Sequence, residues 1–179
     1  MTKFKANTRK DLPQIAEKLR LNRDQLTDMQ AVSAVLPFRV NDYVIERLID
    51  PESVPNDPIF QLTFPQRGML DEEDFRRMRD LVAKGAPEAE IKLAADEIRG
   101  RLNPHPAGQM ELNVPRLDGE VVAGIQHKYQ ETVLFFPSQG QTCHAYCSYC
   151  FRWAQFIGDT DLKFASREAG QLVRYVRDN

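Results

Sequence analysis

All three cysteines of this chain fall inside eight consecutive residues, Cys143-His144-Ala145-Tyr146-Cys147-Ser148-Tyr149-Cys150. That clustering constrains the fold more than any other feature. A redox pair needs only two thiols, and a tetrahedral zinc site usually takes four ligands. Three thiolates suit an iron–sulfur cluster in which one iron has no protein ligand and stays open to a small molecule. The spacing Cys-x3-Cys-x2-Cys lets a single tight loop turn all three sulfurs toward one centre. A second reading stays open: the cysteines with His144, His127 or His105 could make a structural zinc site in a non-catalytic binding module. His144 adjoins Cys143, which places it awkwardly for the same tetrahedron.

The bulk properties fit a reduced, folded, non-membrane protein. With 179 residues and 42% hydrophobic side chains the chain can bury one ordinary core. A formal net charge of -2 and a pI near 6.0 argue against nucleic-acid or anionic-membrane partners, whose footprint is a basic excess. No apolar run approaches the ~20 residues of a membrane span. Polar residues follow Met1-Thr2-Lys3-Phe4-Lys5, where a signal peptide would have its apolar core. An odd cysteine count in one tight group is unlike a secreted disulfide framework. The expectation is a cytoplasmic protein with its thiols kept reduced.

Along the chain, helical spacing of Leu12, Ile15, Ala16 and Leu19 predicts a helix over about 11–21. A second begins after Asn22, with Leu26, Met29, Val32 and Leu36 on one face, and ends before Pro37. Asn41 is a candidate cap for a third, carrying Val44, Ile45, Leu48 and Ile49. Pro51 to Gly68 holds Pro51, Pro55, Pro58 and Pro65 and reads as an extended connector rather than helix. Asp71-Glu72-Glu73-Asp74 opens a charged helix in which Glu72–Arg76 and Glu73–Arg77 are i,i+4 pairs and Phe75, Met78 and Val82 face inward. Those four acids read as a solvated first turn, not a metal site, because arginines follow. After Gly85-Ala86-Pro87 another helix turns Ile91, Ala94, Ala95 and Ile98 inward and ends near Gly100.

The loop Asn103 to Gln109 holds His105 rigidly between two prolines, and Leu117-Asp118-Gly119-Glu120 reads as a turn. Thr132 to Phe136 is a short apolar strand, expected to be parallel and buried on both faces. It leads through Ser138 to Thr142 into the cysteines. Beyond them Ser166 is a candidate cap for a last helix, with Ala169, Leu172, Val173 and Val176 toward the strand.

With these residues in view, Cys143-x3-Cys147-x2-Cys150 and the aromatic Tyr149 before the third cysteine resemble the signature of radical S-adenosylmethionine enzymes. The run Gly124-Ile125-Gln126-His127-Lys128-Tyr129, the strand Thr132 to Phe136, and Cys150-Phe151-Arg152 are similar to the lysine 2,3-aminomutase family. The likeness is best from Ala123 to Arg152, about a sixth of the chain.

The resemblance implies that Cys143, Cys147 and Cys150 hold a [4Fe–4S] cluster whose open iron binds S-adenosylmethionine, and that Tyr149 lies beside the adenine. One electron then cleaves the sulfonium, and the resulting radical takes a hydrogen from the β-carbon of an amino acid held on pyridoxal phosphate. The amino group moves from the α- to the β-carbon. Arg152 matches the arginine for the substrate carboxylate, and Lys128 stands where many members have an arginine for the pyridoxal phosphate group. Two departures bear on the substrate. Lys128 keeps the charge but loses the bidentate fork, and Trp153-Ala154 stands where many members carry further basic residues. The substrate expected is a lysine-like amino acid; glutamate or a protein-bound lysine is the alternative within the family. No residue here is assigned a direct catalytic role.

The implied fold is α/β. A helical and proline-rich region, residues 1–128, precedes residues 129–179, the first strand, cluster loop and helix of a partial radical SAM (β/α) barrel. Only 29 residues follow Cys150 (179 minus 150), and a full barrel takes ~200 or more. The chain is therefore expected to be the N-terminal part of a longer isomerase and not competent alone. The implied reductant is a flavodoxin or ferredoxin, and a homo-oligomer is compatible with the reading.

Overall fold

The computed structural model describes residues 4–36, 38–102, 111–137 and 169–179. The cysteines, Tyr149, Arg152, Trp153, Ser166, His105 and His144 lie outside the described residues. The rest divides into two units, one of residues 4–102 and one of residues 111–137 with 169–179.

The first unit is mostly helical. Strand β1 (Ala6–Thr8) pairs antiparallel with β2 (Arg39–Asn41). Between them run α1 (Leu12–Lys18) and α2 (Arg23–Val35). Pro13 sits in the first turn of α1, where its missing N–H costs nothing, and Leu12, Ile15 and Ala16 are buried. Asn22 and Gln25 cap α2 reciprocally: the Asn22 side chain accepts from the Gln25 N–H at 2.9 Å, and the Asn22 N–H donates to Gln25 Oε1 at 2.8 Å. The helix stops with Leu36 extended, as a residue preceding proline prefers.

Helix α2 does not present one apolar face. Met29 belongs to a core with Leu12, Ile15, Leu19, Phe38, Val40, Ile45, Ile49, Phe60 and Phe64. Ala31, Val32, Ala34 and Val35 belong to another, with Leu70, Phe75, Met78, Ile91, Ala94, Ala95 and Ile98. The helix is sandwiched between the two, so the expected grouping of Met29 with Val32 gives way to burial on both sides.

The second of these cores is closed by α4 (Glu72–Ala83) and α5 (Glu88–Leu102). Ile91, Ala94, Ala95 and Ile98 all point inward as their spacing predicts. Arg99 of α5 reaches the free carbonyls at the end of α2, donating from Nε to Val35 O (2.7 Å) and from Nη2 to Ala34 O (2.9 Å). Cationic capping of a helix C-terminus answers both its dipole and its unpaired acceptors.

Two stretches differ from the expectation. Asn41 does accept from the Val44 N–H at 3.0 Å, yet the residues it caps form a single π-type turn, Val44–Leu48, that buries Ile45 and leaves Leu48 exposed. The proline-rich segment contains a short helix, α3 (Pro58–Thr63). Pro58 occupies its first turn, where proline favours a helix rather than breaking it. Asp57, buried, accepts from the Phe60 N–H (2.7 Å) and the Asp50 N–H (3.1 Å), and α3 delivers Phe60 onto Phe64 with rings stacked 4.6 Å apart.

The described part of the second unit begins with two hairpins. Strands β3 (Arg116–Leu117) and β4 (Glu120–Val121) pair antiparallel across Asp118-Gly119. Both turn residues have positive φ (52° and 84°), the geometry of a primed two-residue turn that Asp-Gly suits. Strands β5 (Ile125–Tyr129) and β6 (Thr132–Phe135) pair antiparallel across Gln130-Glu131. Helix α6 (Ala169–Asp178) is the helix of this unit among the described residues.

The strand expected at Thr132 to Phe136 is therefore present with a different partner. Its neighbour is the segment immediately before it, joined by two residues, and a parallel pairing would need a long crossover. Leu134 is 44% exposed. The described strands form three two-stranded antiparallel sheets, with no closed barrel among the described residues. Residues 128 and 129 lie together in β5. In α6 the buried residue is Tyr175, while Val173 and Val176 are 56% exposed, so the helix faces inward through Leu172 and Tyr175. Among the described residues, no helix is long and apolar enough to cross a membrane.

Candidate functional site

Of the residues singled out for chemistry, Lys128 and His127 are described, and both sit on β5. Gly124 starts the approach. Its φ of 77° is a left-handed turn, and its carbonyl accepts from the Phe136 N–H at 2.8 Å, closing the open end of the hairpin. The ladder then runs Ile125↔Phe135, Gln126↔Leu134 and His127↔Val133, and resumes at Tyr129↔Thr132. Lys128 is the residue skipped. It occupies a β-bulge at the closed end of the hairpin, a device that re-aims a side chain out of the alternation of the strand.

Lys128 is exposed, and its ammonium lies 5.1 Å from the centre of the Tyr129 ring. Tyr129 is itself 61% exposed. The ammonium lies against the aromatic face, a cation–π contact at an exposed position.

His127 is engaged locally. Its Nδ1 lies 2.5 Å from the Tyr175 hydroxyl, and the two rings meet edge to face at 5.6 Å. Its Nε2 lies 3.4 Å from the Gln130 carbonyl. The carbonyl can only accept, so in the neutral tautomer protonated at Nε2 the ring donates to Gln130 and accepts from the tyrosine at Nδ1. The His127 backbone N–H donates to Asn113 O at 2.8 Å. These contacts tie His127 to Tyr175, Gln130 and Asn113 within the second unit.

A second link ties α6 to the first hairpin: Arg174 Nη2 bonds Asp118 Oδ2 at 2.5 Å. Beside it lies a cleft of about 480 Å³ lined by Leu117, Glu120, Val122 and Gln171 along with that ion pair. Tyr175 and Arg174 were missed by sequence reasoning. The valines of α6 drew the prediction, while the residues that hold the helix are a tyrosine and an arginine with polar tips.

In the first unit the acids of α4 act structurally. The Asp71 side chain caps the helix, accepting from the Asp74 N–H at 2.8 Å. Glu72 takes Arg76, as predicted, and also Arg67; Arg67 foremost holds its carboxyl below the usual range. Arg77 turns instead to Glu97 of α5 at 2.7 Å. Asp74 departs from the expected solvated turn: it is buried and bonded to Arg101. Burial raises its carboxyl above the usual range and Asp71 adds to that, outweighing the pull of Arg101. Among the described residues, no group of three or more His, Cys, Asp or Glu side chains could hold a metal ion.

Comparison with protein-family models, with curated proteins and with solved structures finds no match to this chain.

Proposed function

We infer that this chain carries the cluster-binding segment of a radical S-adenosylmethionine aminomutase acting on a lysine-like amino acid. The observation that carries the reading is the spacing Cys143-x3-Cys147-x2-Cys150, with Tyr149 inside it and Arg152 two residues beyond. The donor set fits a [4Fe–4S] cluster: three soft thiolates supply three irons and leave the fourth for a small chelating ligand. When bound, the cluster and S-adenosylmethionine supply a radical, and pyridoxal phosphate supplies the means of moving an amino group.

The chain's own residues bind and orient. Arg152 offers a planar fork for a substrate carboxylate, a charge-assisted pair stronger than a neutral hydrogen bond. Tyr149 gives the adenine an aromatic neighbour and keeps water from the cluster. Lys128, left out of the β5–β6 pairing by the bulge beside Tyr129, gives the phosphate of pyridoxal phosphate a point charge. The thiols need a reducing compartment, which makes the protein cytoplasmic, with flavodoxin or ferredoxin as electron donor.

Anaerobic reconstitution of the chain with iron and sulfide, followed by metal analysis and visible spectroscopy, tests this. The reading expects about four irons per chain and a brown, visibly absorbing protein, with both lost in Cys147→Ala. One zinc per chain and no visible absorption would overturn it in favour of a structural metal module.

A further inference from the structure

We propose that Tyr175, acting through His127, is the positioning residue for Lys128. The proposal rests on the assignment of Lys128 to an anionic ligand, and its structural half stands independently. Three contacts converge on His127. Its backbone N–H donates to Asn113 O, its Nδ1 lies 2.5 Å from the Tyr175 hydroxyl, and its Nε2 lies 3.4 Å from the Gln130 carbonyl. The last two form a relay from α6 to the turn that closes the hairpin. Lys128 lies between the anchored His127 backbone and that turn.

A bulge is a weak point of a ladder, because the extra residue has no partner across it. Here the imidazole spans the weak point, reaching from one side of the bulge to the carbonyl on the other. Tyr175 holds the imidazole at the required angle, since its hydroxyl hydrogen bond and its edge-to-face contact restrict the ring in two ways. Tyr175 is also the buried residue of α6, 6% exposed. Its hydroxyl is thus carried on a surface fixed by burial, as a positioning group requires.

Lys128 itself has a long, flexible stem and an ammonium whose described contact is the Tyr129 ring. An arginine at this position would orient itself through two parallel bonds to a phosphate; a lysine binds as a point charge and depends on where the backbone places it. The relay supplies that placement.

The test uses the whole chain as Tyr175→Phe, Lys128→Gln and His127→Asn. Asparagine keeps an acceptor near the Nδ1 position but does not reach Gln130. Amide hydrogen exchange is read at Lys128, Tyr129 and Gln130, and the His127 tautomer by nitrogen NMR. Binding of pyridoxal phosphate is read against binding of pyridoxal, so that the ratio isolates the phosphate. The expected wild type shows the Nε2–H tautomer and a preference for the phosphate ester that Lys128→Gln abolishes. Tyr175→Phe and His127→Asn both speed exchange at the three amides and cut the preference about 5-fold, with pyridoxal binding unchanged.

A preference lost in Lys128→Gln but intact in Tyr175→Phe would overturn the positioning role and leave the ligand assignment standing. No preference in wild type, with exchange still accelerated by Tyr175→Phe, would support the positioning role and sink the ligand assignment. Unchanged exchange in Tyr175→Phe would overturn the proposal outright.

Discussion

The helical unit and the hairpin unit are stabilised in different ways. In residues 4–102 two apolar clusters flank α2, and the polar groups at helix ends are answered by Asn22, Asp57, Asp71 and Arg99. In residues 111–137 with 169–179 the buried apolar side chains are Val122, Ile125, Phe136 and Tyr175, among the described residues. There the elements are joined by named polar contacts, Tyr175–His127 and Arg174–Asp118. Burial tolerates repacking because it is non-directional. A hydrogen bond at a bulge fixes one angle, which a binding residue needs more than it needs stability. Lys128, the residue proposed to bind phosphate, lies in this second unit.

The contrast predicts a gradient of mutational effects. Phe75→Ala removes a ring that is 2% exposed in the core of α2, α4 and α5. It is expected to cost about 3–5 kcal/mol, read as a lowered urea midpoint, and a loss under ~1 kcal/mol would break the contrast. Asn22→Ala, which removes one half of the α2 cap, is expected to cost about 1 kcal/mol in the same titration. Tyr175→Phe is expected to cost about the same amount, as one hydrogen bond, but with faster amide exchange confined to the hairpin unit. Arg174→Gln is expected to change stability by less than ~0.5 kcal/mol, because both partners of the ion pair are more than half exposed.

Acid sharpens the comparison within the helical unit. The carboxyls of Asp11 and Glu72 are held low, Asp11 chiefly by the Thr8 N–H and then by Lys5. Their contribution is present above their unfolded pKa values and is lost as pH falls through the folded ones. Asp74 has the opposite sign. Its carboxyl is raised, so its contribution is greatest below the unfolded pKa and declines as pH rises through that value to the folded one. Asp74→Asn is therefore expected to look most favourable relative to wild type near neutral pH. That advantage shrinks as pH is lowered through the raised folded value toward the unfolded one, measured by urea unfolding as a function of pH. An advantage that grows with acid would contradict the burial of Asp74.

How much was legible in the sequence follows the same division. Helices α1, α2, α4 and α5 were predictable because burial imprints a 3.6-residue period, and Asn22, Asp71 and Pro87 mark their starts. The double-sided burial of α2 was not, because a period gives a face and says nothing of a second core behind it. Helix α3 was hidden by its prolines: Pro58 reads as a breaker until its first-turn position is known. Thr132 to Phe135 was identifiable as a strand, while its partner was not, since an apolar run fits a buried parallel strand or a hairpin equally. The two-residue gap at Gln130-Glu131 was the available signal for the hairpin. Of the candidate site, the cysteine spacing was plain from sequence alone. The bulge at Lys128 and its tie to Tyr175 join positions 48 residues apart, from His127 to Tyr175, and no local pattern records that.

In the proposed cluster the three thiols leave one iron open to S-adenosylmethionine. The most direct measurement is EPR of the reconstituted, reduced chain with and without that ligand. The expected result is a [4Fe–4S]⁺ signal whose shape changes on adding S-adenosylmethionine. A signal indifferent to the ligand, or no cluster at all, would contradict it.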